Sequence, residues 1–474
     1  MYRGLFRVAQ IVEGWSRRFR LPLNLTGNAQ AKPPAPPCFH SHLWTGSLLS
    51  PVFQTLVFVV LLMALANPVW AAGDLQVATA KVDITAPVGY PMGGYGARKG
   101  VSQGIHDPLL AKVLLIKSNG RQFGIVTYDL VLFVSPKVAR EARETLGIDP
   151  VLQIASHTHS GPIPKDLHAM DKDPWYQDVE TKVLGALKEA QAHYQPASFS
   201  VLESSAYLGH NRRRVNDDGT VTMFWRNADR MPTAPVDPRV GILRFTGADG
   251  HVLALLVNYA CHGVNLGPDN LDFSADWPGF MYRKLEGDLG APAMVYFIPG
   301  AGGDINPYDD KQPRTQDAFG VAQKTGETLA ATVLKALGAK AAPADDFNVK
   351  ISAVTYDFKD RFRPDQRVPT RAVRILINND VGILAMPAEP FVRHQMNLRD
   401  QSPLAHTFMF GYAYAGEGVF TGYIPTIEAA MQGGYGANYA TRVEVGAGEH
   451  LVDDAVIWFY EQQGKLRDVP DTRP

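Results

Sequence analysis

The sequence predicts an α/β protein with a mixed β-sheet core, flanking helices and a functional site at the carboxyl ends of the strands. From residue 72 onward, short apolar runs alternate with stretches of helical spacing, which is typical of this class. Five of the apolar runs lead directly into side chains that can bind a metal or carry a proton. A chain of 474 residues, with 43 Gly and 34 Pro spread along it, has room for one large loop-rich domain or for two or three smaller ones.

The charge of the chain argues against nucleic acid as a partner. Basic residues number 46 and acidic residues 47, so the formal net charge is -1. Without a basic stripe, the sequence offers no surface for a phosphate backbone. A small molecule or a lipid is therefore the expected partner, and the oligomeric state is left open.

Residues 1–71 are predicted to be a signal peptide with a long n-region. The uncharged apolar run at 52–66 suits a signal-peptide core and is short for a membrane span. Basic residues precede this run, and we expect cleavage near Ala71-Ala72. The protein is thus expected to be periplasmic or secreted, with an uncleaved leader acting as a membrane anchor as the alternative. Residues 72–474 form the predicted functional domain, with a sub-boundary at 341–345.

Nine apolar runs are predicted strands, and several are separated by predicted helices. The strands are expected at 112–116, 123–128, 151–155, 240–245, 252–259, 293–298, 349–358, 373–377 and 381–386. Ser135 and Pro136 begin a helix that ends at Gly147, and helical spacing predicts two more at 175–194 and 316–337. The turn residues at 216–219 predict a β-hairpin within 207–225.

Polar side chains follow five of the predicted strands. In α/β sheets the ligand crevice lies outside the carboxyl ends of the strands, so these side chains are expected to converge. They are Asp129, the Ser156–Pro162 segment with His157 and His159, the Cys261-His262 pair, the Gly300–Asp304 loop, and Glu389.

Two histidines and a carboxylate from separate strand ends form a donor set suited to catalytic zinc. His157 and His159 are two residues apart, so on an extended strand both face the same side. The glycine-rich loop could bring the backbone N–H groups of Gly302 and Gly303 to an oxyanion. Each feature also has a simpler interpretation: hydrogen-bonded structural histidines, a solvated loop acid and a tight turn. No Gly-x-Ser-x-Gly elbow is present, which disfavours a Ser-His-Asp hydrolase.

Short motifs spread over 82–426 resemble the catalytic domain of the neutral (non-lysosomal) ceramidase family. The most specific is Ser156-His-Thr-His-Ser-Gly-Pro162, and the others fall at 82–85, 94–96, 104–108, 237–238, 303–304 and 422–426. The resemblance covers nearly all of residues 72–474. It does not extend to the C-terminal immunoglobulin-like domain of the members that cleave ceramide.

The resemblance implies one zinc ion per chain and a set of site residues. It makes His157, His262, Glu389 and Tyr423 the zinc ligands and places Asp129 and Asp304 near the site. Substrate-facing roles fall to His159, Tyr435 and Arg212. One departure concerns Asn306, which stands where ceramide-cleaving members have a serine implicated in amide cleavage. Asparagine cannot act as a nucleophile, so a shifted substrate is expected.

The resulting hypothesis is a zinc hydrolase that cleaves an amide bond in an N-acylated lipid or related acyl compound, by metal-activated water and with His159 handling protons. A metal-dependent ester or phosphoester hydrolase on the same scaffold and a non-catalytic relative are the alternatives. Association with a membrane surface is compatible with a lipid substrate. Met223, Phe224 and Trp225 would either line an acyl-chain groove or belong to the core.

Overall fold

The computed structural model describes residues 74–167, 169–339 and 346–467. The predicted signal peptide and the predicted sub-boundary at 341–345 both lie outside these residues. Within the three described ranges, none of the helices combines the length and apolar character needed to span a bilayer.

Two larger β-sheets, four two-stranded sheets and seven α-helices form the described architecture. The strands are β1 Gln76–Asp83, β2 Gly104–Ile105, β3 Leu110–Ser118, β4 Arg121–Tyr128, β5 Val151–Ala155, β6 Gln195–Ser205, β7 Gly209–Asn211, β8 Arg213–Val215, β9 Val221–Met223, β10 Arg239–Gly247, β11 Val252–Tyr259, β12 Asp272–Phe273, β13 Met294–Pro299, β14 Ile305–Pro307, β15 Val349–Lys359, β16 Arg367–Ile377, β17 Val381–Ala385, β18 Glu389–Pro390, β19 His406–Phe410, β20 Ala413–Tyr414 and β21 Tyr423–Ile424. The helices are α1 Pro136–Leu146, α2 Pro174–Gln191, α3 Asp276–Leu289, α4 Ala318–Leu337, α5 Val392–Gln401, α6 Ile427–Gln432 and α7 Ala447–Gln462.

The larger sheet is mixed, as predicted. Its nine strands run in the order β13-β11-β10-β6-β1-β3-β4-β5-β20. The pairs β4–β5 and β11–β13 are parallel, whereas the other pairs in the sheet are antiparallel. Because parallel strands end at the same edge, the segments that follow β4 and β5 leave the sheet together, as do those after β11 and β13.

The two sheets and the helices stack in four layers. Along β3, Val113 and Leu115 pack into one hydrophobic cluster with α1 to α4, while Leu114 and Ile116 pack into a second cluster with β16 and β17. This alternation follows from the two-residue period of a strand and explains why β3 is apolar throughout. The second sheet, of order β15-β16-β17-β19, is covered on its far face by α5 and α7.

The larger sheet curves so that its two edges approach each other. Lys112 Nζ on β3 donates to the Val295 carbonyl on β13 at 2.9 Å. In the other direction, Tyr296 Oη on β13 donates to the Val113 carbonyl on β3 at 2.7 Å. The backbone N–H of Gly411, just before β20, donates to the Pro299 carbonyl at the end of β13. The loops after β5, β11 and β13 therefore meet in one place.

All nine predicted strands are present, although several are longer than predicted. The first predicted helix is α1, where the Ser135 side chain accepts a hydrogen bond from the Val138 backbone N–H and Gly147 ends the helix at φ 67°. The predicted hairpin at 207–225 contains β8 and β9. The second helix ends earlier than expected, at Gln191, and the third begins at Ala318.

Candidate metal and substrate site

Four structural elements bring the predicted ligands together. His157 and His159 follow β5, and His262 follows β11. Glu389 and Tyr423 begin the two short strands β18 and β21, which pair in parallel with these two residues directly opposite each other. The strand-end convergence predicted from the sequence is thus present in the structure.

The donor atoms of these residues lie within a few ångströms of one another. Glu389 Oε2 lies 3.2 Å from His157 Nε2 and 3.4 Å from His262 Nε2. Tyr423 Oη lies 3.5 Å from His262 Nε2. One ring nitrogen from each of His157, His159 and His262 falls within 4.8 Å of the other two, so this group could hold a metal ion. All five side chains are buried.

The hydrogen bonds of two histidines fix which ring nitrogen is free. His157 Nδ1 lies 2.7 Å from the Val131 carbonyl, and His262 Nδ1 lies 2.7 Å from the Gly302 carbonyl. A carbonyl oxygen only accepts, so in each ring Nδ1 carries the proton and Nε2 of the neutral imidazole presents a lone pair. Both lone pairs face Glu389 Oε2, which accepts no hydrogen bond from any described residue. Lone pairs on three atoms that face one another repel unless a positive charge lies between them. This arrangement is therefore typical of a cation site.

The spacing fits a tetrahedral metal. With zinc–ligand bonds of about 2.0–2.1 Å, neighbouring ligand atoms in a tetrahedron are about 3.3 Å apart. The observed 3.2 and 3.4 Å separations at Glu389 match this value. Metal-bound histidines almost always donate their other ring N–H to a carbonyl or carboxylate, as His157 and His262 do here.

The electrostatics of the site favour a deprotonated donor set. Burial lowers the pKa of His262 to about 4, with the Arg212 cation acting in the same direction. Burial opposes ionisation of Glu389, whereas the facing His157 and His262 lower its pKa well below the ordinary value when their rings carry protons; with both rings neutral, a bound cation would take over that role. Burial, together with His157 and His262, also lowers the pKa of His159 well below its usual range, so His159 is a neutral base.

Backbone conformation at the site is unusual at two non-glycine residues. His157 adopts φ 62° and Tyr412 adopts φ 56°, both in the left-handed region. The Tyr412 ring lies 4.4 Å from the His157 ring, and its buried hydroxyl has no hydrogen-bond partner among the described residues. Conformations of this kind persist where the surrounding structure enforces them, often at functional sites. Sequence reasoning missed Tyr412, since no motif marks it.

Arg212 is held beside Tyr423 inside an aromatic cage. Its Nη2 donates to Tyr423 Oη at 3.1 Å and to the Gly303 carbonyl at 2.6 Å. The rings of Trp225, Tyr423 and Tyr435 lie 5.1–5.5 Å from its guanidinium carbon, within the range of cation–π contact. Burial alone would lower the pKa of Arg212, but Tyr423 and Glu389 raise it above its ordinary value.

Tyr435 reaches this cage from a loop that only glycines allow. Gly434 and Gly436 on either side of it adopt φ 87° and 80°. A Cβ on Gly436 would lie 3.0 Å from the Tyr423 ring. The two glycines that flank Tyr435 therefore let the loop close over Tyr423.

Asn306 is fully buried and is bonded at both ends of its side chain. Its Oδ1 accepts from Arg212 Nη1 at 3.1 Å, and its Nδ2 donates to Asp310 Oδ2 at 2.7 Å. These contacts make Asn306 a support for Arg212 and engage both polar atoms of its side chain.

Asp304 and Asp129 make positioning contacts. The carboxylate of Asp304 accepts from the Val392 backbone N–H at the start of α5 and from Asn211 Nδ2, both at 2.8 Å. It therefore caps the helix that follows Glu389, in place of the N-cap residue Phe391, whose side chain makes no such bond. The carboxylate of Asp129 accepts from Tyr282 Oη and the Leu110 backbone N–H, which do not belong to the donor cluster.

The expectation that Gly302 and Gly303 offer backbone N–H groups to an oxyanion is wrong in this structure. The Gly302 N–H donates to the Gly300 carbonyl at 2.9 Å, and the Gly303 N–H donates to the Pro390 carbonyl at 2.8 Å. Close packing requires glycine here instead, because a Cβ on Gly303 would lie 2.5 Å from the Glu389 carbonyl oxygen.

The segment 223–225 lies beside the site, half-buried. Trp225 packs against Arg212 and Tyr435, with its ring 5.5 Å from that of Tyr435. Lys311 Nζ lies 5.0 Å from the centre of the Trp225 ring. Sequence reasoning missed Lys311 and the buried Asp310, whose only signal is an acidic and basic run soon after Asn306.

Comparison with known proteins identifies the fold. The sequence matches no protein-family model and no curated protein. Two solved structures match at 16% identity over 85% of this chain. One is the neutral ceramidase from Pseudomonas aeruginosa, with a TM-score of 0.65 over 76% of its length, and the other is a ceramidase complexed with C2, with a TM-score of 0.67 over 77%. The chain thus adopts the neutral ceramidase fold.

Proposed function

We propose that this protein is a zinc-dependent hydrolase that cleaves an amide bond in an N-acylated lipid or a related acyl compound. The observation that carries the proposal is the convergence of His157 Nε2 and His262 Nε2 on Glu389 Oε2, with Nδ1 of each ring directed at a backbone carbonyl. Tyr423 is the proposed fourth ligand, with one zinc ion per chain. The fold shared with two ceramidases supports the choice of an acyl amide as the substrate.

Zinc bound there would supply a water of lowered pKa and polarise the scissile carbonyl. The remaining steps belong to side chains of this chain. His159, neutral and buried next to His157, accepts the proton of the attacking water and returns one to the leaving amine. Arg212 and Tyr435 orient the carbonyl and stabilise the negative charge that develops on its oxygen.

Asn306 argues against a mechanism in which residue 306 acts as a hydroxyl nucleophile. Its amide is not nucleophilic, and both ends are occupied by Arg212 and Asp310. The proposed reaction is therefore direct attack of water, without an acyl intermediate on residue 306. Asn306 acts by holding Arg212, and Asp304 acts by holding the segment that carries Glu389.

The proposal is tested by metal analysis combined with turnover. The purified protein, His262→Ala, Glu389→Ala and the control His193→Ala, an exposed residue on the segment after α2, are analysed by mass spectrometry for metal content. We expect about one zinc per chain in the wild type and control, and loss of it in the two site variants. N-acyl amides and the corresponding esters are then offered to the loaded enzyme.

Other outcomes favour the alternatives. Close to two metals per chain with phosphoester cleavage would favour a phosphoesterase, because two-metal sites serve that chemistry. Preferential ester cleavage would favour an esterase. Full metal loading without turnover of any panel member would favour a non-catalytic role.

Export is part of the same proposal. A cleaved leader over residues 1–71 would deliver the enzyme to the periplasm or the medium, where lipid-derived amides are accessible. N-terminal sequencing of the protein recovered from cell fractions tests it: a mature terminus near Ala72 is expected, and an intact leader in the membrane fraction would indicate an anchor.

A further inference from the structure

A row of cations leads outward from the proposed metal centre. Arg212 contacts Tyr423 at the inner end and Trp225 at the outer end. Lys311 Nζ also lies over the Trp225 ring, and the exposed Arg226 donates to the Lys311 carbonyl at 2.7 Å. Trp225 is half-buried between these cations, so the row runs from the buried centre towards solvent.

Negative charge does not balance this row. No carboxylate among the described residues pairs with Arg212 or Arg226, and the buried Arg212 Nε has no hydrogen-bond partner there. Lys311 pairs with Asp310. Glu389 acts on Arg212 without pairing with it, and its carboxylate is a proposed zinc ligand. Arg226 thus has no paired carboxylate next to Lys311, and the three cations of the row outnumber the one paired anion, Asp310, so the outer part of the row is electrostatically suited to a ligand that brings negative charge.

Asn306 connects the inner and outer parts of the row. Asp310 Oδ2 receives hydrogen bonds from both Asn306 Nδ2 and Lys311 Nζ, and Asn306 Oδ1 receives one from Arg212. A serine side chain is too short to span Arg212 and Asp310. The asparagine thus fixes both cations in one arrangement.

From this arrangement we propose that the substrate is an acyl amide whose amine part carries an anionic group, a carboxylate or a phosphate, bound by Lys311 and Arg226. This inference rests on the proposed amide hydrolysis and adds the charge of the substrate to it. Arg226 offers a fork of N–H donors suited to either anion, and Lys311 offers a point charge next to it.

Matched pairs of compounds test the inference. N-lauroylglycine and N-lauroylglycinamide differ only in the charge of the terminal group, and N-lauroylethanolamine phosphate and N-lauroylethanolamine form the phosphate pair. Zinc-loaded wild type, Lys311→Met, Arg226→Gln and the control Lys324→Met on the exposed face of α4 are compared. Arg226→Gln changes an exposed side chain, so it stays informative even if Lys311→Met, which leaves Asp310 unpaired, folds poorly.

We expect the wild type and the control to prefer one charged compound over its neutral partner by about tenfold in kcat/KM, or about 1.4 kcal/mol. Each site variant should reduce that preference to about twofold, mainly through slower cleavage of the charged compound. A preference within the glycine pair indicates that the site binds a carboxylate, and a preference within the ethanolamine pair indicates that it binds a phosphate. Equal or faster cleavage of both neutral compounds by the wild type, or a preference that survives in both site variants, would overturn the inference.

Measurements of ligand binding test the anion-binding inference independently of the proposed reaction. If no compound is cleaved, the proposed function fails, and calorimetry on the same purified proteins decides the remaining question. Tighter binding of a charged compound that is lost in Arg226→Gln upholds an anion-binding site. Equal binding of the charged and neutral compounds overturns it.

Discussion

Replacing Asn306 by serine removes two hydrogen bonds to charged groups at once. Arg212 Nη1 loses its 3.1 Å partner, and Asp310 Oδ2 loses its 2.7 Å donor. A hydrogen bond to a charged group contributes about 1.5–3 kcal/mol, so taking the lower value twice gives a loss of about 3 kcal/mol of unfolding free energy. For a domain of roughly 400 residues, with an unfolding entropy of about 2.1 cal/mol/K per residue, this corresponds to a fall in Tm of about 4 °C.

Thermal unfolding and steady-state kinetics measure the two consequences. Asn306→Ser should lower Tm by about this amount and lower kcat/KM at least several-fold, because Arg212 is less well fixed, while metal content stays unchanged. The control is Asn397→Ser on α5, a residue with no side-chain hydrogen bond among those described, which should change neither quantity. A Tm equal to that of wild type together with faster amide cleavage would refute this reasoning, since it would show that serine serves the reaction better than the Asn306 bridge.

Three further predictions follow from single contacts. His159→Ala should retain zinc and lose turnover by about 10²-fold or more, whereas loss of zinc would make His159 a ligand. Burial raises the pKa of Asp129 from 3.8 to about 6, so its ionisation opposes folding, and its contribution to the unfolding free energy should fall by about 2 kcal/mol as pH rises from 4 to 6. In urea unfolding, the stability of Asp129→Asn relative to wild type should be higher at pH 7.5 than at pH 4.5. A stability difference between the two proteins that is the same at both pH values would argue against the raised pKa of Asp129. Gly436→Ala, at φ 80° and 3.0 Å from the Tyr423 ring, should destabilise by about 1–2 kcal/mol or more and weaken zinc retention, while Gly185→Ala, in open space on α2, should do neither.

The strand ends that form the site could be predicted because local patterns mark them. An apolar run followed by His-Thr-His or by Cys-His is visible in the sequence, and parallel pairing of β4 with β5 and of β11 with β13 sends neighbouring strand ends to the same side of the sheet. Tyr423 could be found only through the resemblance, because tyrosine in a glycine-containing loop has no distinctive pattern of its own.

What the sequence missed depends on long-range contacts. The strands β1 and β6 contain polar residues among their apolar ones, so neither forms a clear apolar run in the sequence. They are recognisable mainly by their pairing with β3 and β10. Helix α3 contains Trp277-Pro278-Gly279 in its first turn, a sequence that reads as a loop although proline is tolerated there. The error at Gly302 and Gly303 has the same origin, since their N–H groups are taken by carbonyls that only the folded chain brings close.

The central claim is that His157, His262, Glu389 and Tyr423 bind one zinc ion. Anomalous diffraction from crystals of the purified protein, recorded on both sides of the zinc absorption edge, tests it most directly. We predict one peak per chain, about 2.0–2.2 Å from His157 Nε2, His262 Nε2 and Glu389 Oε2 and within bonding distance of Tyr423 Oη. A peak centred on His159 with Glu389 unbound, or no peak in crystals grown with zinc, would contradict the account.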